Sequence, residues 1–233
     1  MLATIKMALY RTFAPIRPIT GISARWLELE ALRTVLRERA IDLVLDVGAN
    51  TGQFVRKLRR LGYRGRIISF EPDPRTYETL VARHGHDLLW RGVPFALGDT
   101  QTTATLNLAR HSVLTSFLTH VGGAEYHEGT ADVPVRRLDR LWDEIVPPGA
   151  RVLLKTDTQG FDLPVFRGAA GVWDRLDALL VELAVEALYE GSIPFTAAID
   201  EYRAAGFQLR DLAIVNRTEA GHVLEYDGLF VRG

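Results

Sequence analysis

The chain has 233 residues, with 28 Lys and Arg against 29 Asp and Glu and a formal net charge of −1, so no global field draws it to nucleic acid or to an anionic membrane. Its 47 % hydrophobic content can bury one large core. Cysteine is absent, which excludes disulfides, thiolate metal sites and cysteine nucleophiles and leaves the compartment unconstrained by redox chemistry.

Residues 1–15 mix Leu2, Ile5, Met7, Ala8, Leu9 and Phe13 with Lys6 and Arg11, and the apolar stretch breaks too early for a spanning helix or a secretory core. The expectation is therefore a cytoplasmic protein without an integral membrane segment. An interfacial helix that meets lipid is one alternative for this stretch; a helix packed on its own domain or on a second copy in a homodimer is the simpler reading. Over residues 23–40, Trp26, Leu27, Leu29, Leu32, Val35 and Leu36 recur at helical spacing. Residues 1–41 thus read as an N-terminal helical segment ahead of one domain, 42–233.

That domain opens with Leu43-Val44-Leu45-Asp46-Val47-Gly48-Ala49-Asn50-Thr51-Gly52, an apolar strand delivering its end to a small-residue turn. Gly48 and Gly52 let backbone approach a ligand, and Asp46 and Asn50 offer an acceptor and an amide. The turn lacks the three-glycine dinucleotide fingerprint, which disfavours a nicotinamide cofactor. A helix follows until Gly62. A second strand at 66–70 ends in Glu71-Pro72, where an acid can accept hydrogen bonds from ribose hydroxyls. After a helix at 74–83, a third strand at 93–97 ends in Gly98-Asp99.

From about 100 to 136 the helical period disappears, and the segment reads as an insertion of strands and loops on the substrate side. His111, Ser112, Thr115, Ser116, His120 and His127 enter the candidate pool there, since loops beyond strand ends commonly choose substrate. Next come a helix at 138–145, a fourth strand at 152–156, a helix at 163–171 and a fifth strand at 178–183. A helix at 196–205 and two strands at 207–215 and 223–231, a hairpin, complete the chain. The pattern predicts an α/β fold with a seven-stranded mixed sheet, one strand antiparallel and helices on both faces.

Three successive strand ends carrying Asp46, Glu71 and Asp99 resemble the S-adenosylmethionine-dependent methyltransferases of the Rossmann-like class I, whose strand order is 3-2-1-4-5-7-6. That resemblance implies that the first turn holds the methionine part, Glu71-Pro72 the ribose and Gly98-Asp99 the adenine; Ser116 of the insertion, which the resemblance does not cover, is a further candidate for contact with the cofactor. The run Leu154-Lys155-Thr156-Asp157-Thr158-Gln159-Gly160-Phe161-Asp162-Leu163-Pro164-Val165-Phe166-Arg167-Gly168-Ala169 is similar to the signature of the FkbM family of methyltransferases, many of which methylate hydroxyls of sugars and polyketides. Gln159 departs from that pattern, where many relatives carry an acid. The resemblance implies S-adenosylmethionine as cofactor and a small-molecule or saccharide hydroxyl as acceptor, with no nucleic-acid partner.

Asp157 closes the fourth strand on the side where open α/β sheets bind ligands, and Glu182 ends the fifth beside it. Asp157 is the first candidate for general base, Glu182 for its partner, and His120 or His127 for an auxiliary base or substrate contact. Asp157 and Glu182 can also hold a hard divalent cation such as Mg²⁺, or accept hydrogen bonds from substrate hydroxyls. Two other functions stay open: N-methylation of a small molecule on the same cofactor half, and a non-catalytic binding protein on a methyltransferase fold.

Overall fold

The computed structural model describes residues 20–121 and 127–233, with side chains in the first helix described from Leu29 onward. The expectations for residues 1–15 lie outside the described residues, and Trp26 and Leu27 fall in the first helix ahead of the described side chains. In chain order the elements are α1 (Thr20–Glu38), β1 (Leu43–Val47), α2 (Gln53–Arg60), β2 (Arg66–Phe70), α3 (Pro74–His84), β3 (Trp90–Val93), β4 (Ala96–Leu97), β5 (Thr102–Ala109) and β6 (His127–Arg136). There follow α4 (Leu138–Ile145), β7 (Val152–Thr156), α5 (Asp162–Arg167), β8 (Ala178–Ala184), α6 (Phe195–Ala204), β9 (Phe207–Arg217) and β10 (Val223–Arg232).

The seven-stranded sheet runs β3-β2-β1-β7-β8-β10-β9, and β10 alone is antiparallel to its neighbours. This is the predicted order, 3-2-1-4-5-7-6. The strands alternate strictly. Leu43, Leu45 and Val47 face one core with Trp142, Phe166, Tyr202 and Phe230. Val44, Leu153, Leu180 and Leu229 face the other, covered by Leu32, Val35 and Leu36 of α1 and by Phe54, Val55 and Leu58 of α2. Each such side chain, fully buried, contributes about 1.5–3 kcal/mol.

Local sequence explains the helix ends near the cleft. Gly52 (φ 83°) turns the chain from β1 into α2, whose last turn carries Lys57, Arg59 and Arg60 against the negative end of the helix dipole. Asp73 caps α3, accepting from the Arg75 N–H at 3.2 Å, with Pro74 in the first helical position.

The expected third strand at 93–97 is corrected. Pro94 has no N–H for a ladder, and the chain splits there: β3 joins the large sheet, whereas β4 joins a second, three-stranded sheet, β4-β6-β5. The insertion is therefore a β5–β6 hairpin anchored on β4. Residues 119–121, after β5, lie against the loop that follows β8. The Val121 N–H donates to the Leu188 carbonyl, and the Glu190 N–H to the Thr119 carbonyl, each at 2.9 Å.

Candidate active site

The carboxyl ends of β1, β2, β7 and β8 open onto one cavity of about 420 Å³, where open α/β sheets hold their ligands. Gly48 (φ 72°) begins the β1 turn, and a Cβ there would lie 2.0 Å from the Asp157 carbonyl oxygen, so the β1 and β7 turns touch only because this residue has no side chain. Asn50 (φ 48°) takes the left-handed conformation that asparagine tolerates. Its main-chain N–H donates to Glu71 Oε2 at 2.8 Å, while the Asp73 N–H donates to Oε1 at 3.0 Å. Glu71 is buried, and burial raises its pKa to about 7 against the opposing pull of those two N–H donors. The Asn50 carboxamide donates to Ser112 Oγ at 3.0 Å, tying the insertion to the first turn.

Beneath this floor lies a polar row across three strands. Asp46 is register partner to Ser69 on β2 and to Lys155 on β7. Ser69 Oγ donates to Asp46 Oδ2 at 3.0 Å, and the Trp90 indole N–H donates to Ser69 Oγ at 3.1 Å. Lys155 Nζ stands 3.0 Å from Asp46 Oδ1 and 3.6 Å from Asp157 Oδ2, and donates to the Gly48 carbonyl at 3.2 Å. Burial works against the ammonium charge, but the carboxylates of Asp46 and Asp157 more than offset it, so Lys155 sits above its ordinary pKa.

At the tips of β7 and β8 the Gln159 carboxamide joins the two carboxylates. Its Nε2 donates to Asp157 Oδ1 at 3.1 Å and reaches Glu182 Oε2 and Oε1 at 3.2 and 3.3 Å. The Tyr189 hydroxyl donates to Gln159 Oε1 at 2.8 Å, and Ser116 Oγ donates to the Gln159 main-chain carbonyl at 2.8 Å. Burial, then the nearby charge of Asp157, pushes the Glu182 pKa well above the usual carboxylate range.

The predicted residues divide. Gly48, Asn50, Glu71, Pro72, Ser116, Asp157 and Glu182 line the cavity. Asp46 and Gly52 stand behind it, the first under the floor and the second against His84. Gly98 and Asp99 fall outside the lining, although Ala96 and Leu97 of β4, immediately before them, belong to it. Gly98 packs on Gly168, and the Asp99 carbonyl accepts from Arg137 at 2.6 Å. Neither histidine lines the cavity. His120 packs edge-on against Tyr189, with ring centroids 5.2 Å apart, and His127 is exposed opposite Ala109 at the outer end of the hairpin. Sequence reasoning missed Glu225 and Asn216 of the final hairpin and Phe117 of the insertion, all in the lining. It treated Lys155 as a matter of strand burial, although a lysine inside an apolar strand signals a buried partner.

The residues present fit S-adenosylmethionine: a turn whose backbone needs a glycine, a buried acid at the second strand tip, and apolar walls from Phe54, Phe70, Leu97, Leu106, Phe117 and Phe161. For Mg²⁺ on Asp157 and Glu182 the fit is poor at one point: the Gln159 Nε2 donor lies between those carboxylates, where an ion shared by the two would sit. Among the described residues no group of three or more His, Cys, Asp or Glu is placed to hold a metal ion.

Strand order and cleft together define a class I S-adenosylmethionine-dependent methyltransferase. Residues 46–209 match the Methyltransferase FkbM domain, and the chain belongs to the FkbM family. It is 25 % identical over 177 residues to the 2-O-methyltransferase NoeI of Sinorhizobium fredii (strain NBRC 101917 / NGR234), covering 71 % of this chain and 72 % of that protein. Among solved structures it is similar to an rRNA methylase from Streptococcus thermophilus (11 % identity, TM-score 0.48, 88 % of this chain and 94 % of that one). It is also similar to magnesium protoporphyrin IX methyltransferase from Synechocystis PCC 6803 with bound S-adenosylmethionine (8 % identity, TM-score 0.48, 91 % and 81 %).

Proposed function

We propose that the methyl group goes to a hydroxyl oxygen of a sugar, of a glycolipid or polysaccharide, or of a polyketide-type acceptor, with Asp157 as general base. The supporting observation is the pair of carboxylates at the mouth: Asp157, its side chain 48 % exposed, and Glu182, joined through Gln159 in the wall of the cofactor cleft. The name of the 2-O-methyltransferase relative agrees with oxygen as the acceptor atom. S-adenosylmethionine, when bound, supplies a methyl group on a good leaving group, so the protein's tasks are alignment and removal of the acceptor proton. Asp157 takes that proton. Glu182, Glu225 and Asn216 present oxygens to neighbouring hydroxyls, and the apolar walls exclude water from the cofactor side. The acceptor is a small molecule or saccharide rather than a nucleic acid. Among the described residues no helix is long and apolar enough to cross a membrane, and dimerisation through the N-terminal segment belongs to the same proposal.

The test is turnover of Asp157→Asn on a panel of sugar and polyketide alcohols, alongside calorimetric titration with S-adenosylhomocysteine. The expected result is a rate loss of about 10²–10⁴-fold with unchanged affinity for the cofactor product. A modest loss, seen with amine acceptors, would replace hydroxyl chemistry by N-methylation.

A further inference from the structure

We infer that Gln159 fills the place of a cation between Asp157 and Glu182, so that the acceptor site works without a divalent ion. The inference rests on reading those two carboxylates as the acceptor's. The orientation of the carboxamide follows from its partners. The Tyr189 hydroxyl donates to Oε1, which leaves Nε2, the donor end, facing the carboxyl oxygens of Asp157 and Glu182. Turning the group over to give Oε1 to an ion would remove it from that hydroxyl.

The backbone confirms that this placement is held against a local preference. Gln159 has φ 55°, a conformation disfavoured for a non-glycine residue that persists where the surroundings over-determine it. Ser116 from the insertion, Tyr189 from the loop after β8, and the carboxylates at two strand tips supply that surrounding. On its other side Asp157 already faces a built-in cation, Lys155 Nζ at 3.6 Å. A donor nitrogen thus occupies the approach shared by Asp157 and Glu182, and a buried ammonium takes a second approach to Asp157. Gln159 is a positioning residue: it keeps Asp157 and Glu182 together and leaves their remaining lone pairs to the acceptor.

The substitution Gln159→Glu replaces the donor by a third carboxylate at the same length, the composition of a hard-cation site. Chelator-treated wild type, Gln159→Glu and Asp157→Asn/Gln159→Glu are titrated calorimetrically with Mn²⁺ and, separately, with S-adenosylhomocysteine. Wild type should show no stoichiometric Mn²⁺ site. Gln159→Glu should gain one, at least about tenfold tighter than any wild-type binding because affinity follows ligand charge, and the double variant should lose it. Two results would overturn the inference: a stoichiometric Mn²⁺ site in wild type that Asp157→Asn abolishes, or no gain in a Gln159→Glu protein that still binds S-adenosylhomocysteine. If Gln159→Glu loses that binding as well, the wild-type titration decides alone. Failure of the acceptor reading is separate, since it appears as undiminished turnover of Asp157→Asn, and the metal titrations need no turnover.

Discussion

Asp46 and Lys155 are register partners on β1 and β7, and their charges meet 3.0 Å apart directly under the cofactor cleft, with both side chains almost wholly buried. The pair carries the Gly48 carbonyl on one side and the Asp157 carboxylate on the other. It therefore couples the turn that shapes the cofactor site to the candidate base.

The substitution Lys155→Met should leave Asp46 as an unpaired buried carboxylate and cost about 3–5 kcal/mol in urea unfolding. Asp46→Asn/Lys155→Met should recover much of that loss, since replacing a buried pair as a unit is often close to neutral. If Lys155→Met unfolds at the wild-type urea concentration, the ion pair has no such role.

Glu71 predicts a pH effect of defined sign. Its folded-state pKa of about 7 lies above the ordinary 4.5, so the native state binds the extra proton. Below about pH 4.5 both states are protonated and the group exacts no penalty; as pH rises to about 7 the unfolded state ionises first, and stability falls by about 3 kcal/mol. Glu71→Gln should remove this component of the slope, checked by comparing unfolding free energies of the two proteins at several pH values across that window. Parallel pH profiles would show that Glu71 does not titrate as described.

Two glycines separate site geometry from packing. An added Cβ would lie 2.0 Å from a carbonyl oxygen in both cases, that of Asp157 for Gly48 and that of Gly98 for Gly168. Overpacking of this kind costs about 1–3 kcal/mol. Gly48→Ala adds the strain of a positive φ and pushes the β7 turn into the cleft, so it should abolish S-adenosylhomocysteine binding. Gly168→Ala, whose φ is −65°, should lower the melting temperature while the folded protein keeps its affinity. Equal affinities in calorimetry for the two variants would contradict the assignment of the β1 turn to the cofactor.

Much of the fold was legible because strand burial has a period. The apolar runs at 43–47, 66–70, 152–156 and 178–183, separated by helical patterns, located the strands, the family resemblance supplied their order, and Glu71, Asp157 and Glu182 were legible as acids at strand ends. The third strand was misread because its apolar run crosses Pro94, where one strand of each sheet meets the other. The histidines were candidates by residue type alone; where they point depends on how the hairpin folds back.

By itself the sequence determined the apolar strands of the large sheet, the glycine turn at its centre and the family the chain resembles, whose strand order the sheet follows, because these rest on apolar runs along single strands and on contiguous motifs. Only the tertiary structure decided the partners: Lys155 against Asp46, the Gln159 carboxamide between Asp157 and Glu182, and Ser112 against Asn50. Apart from the Gln159–Asp157 hydrogen bond, each of those contacts joins residues far apart along the chain, so its existence depends on strand register and loop closure, which no local pattern encodes.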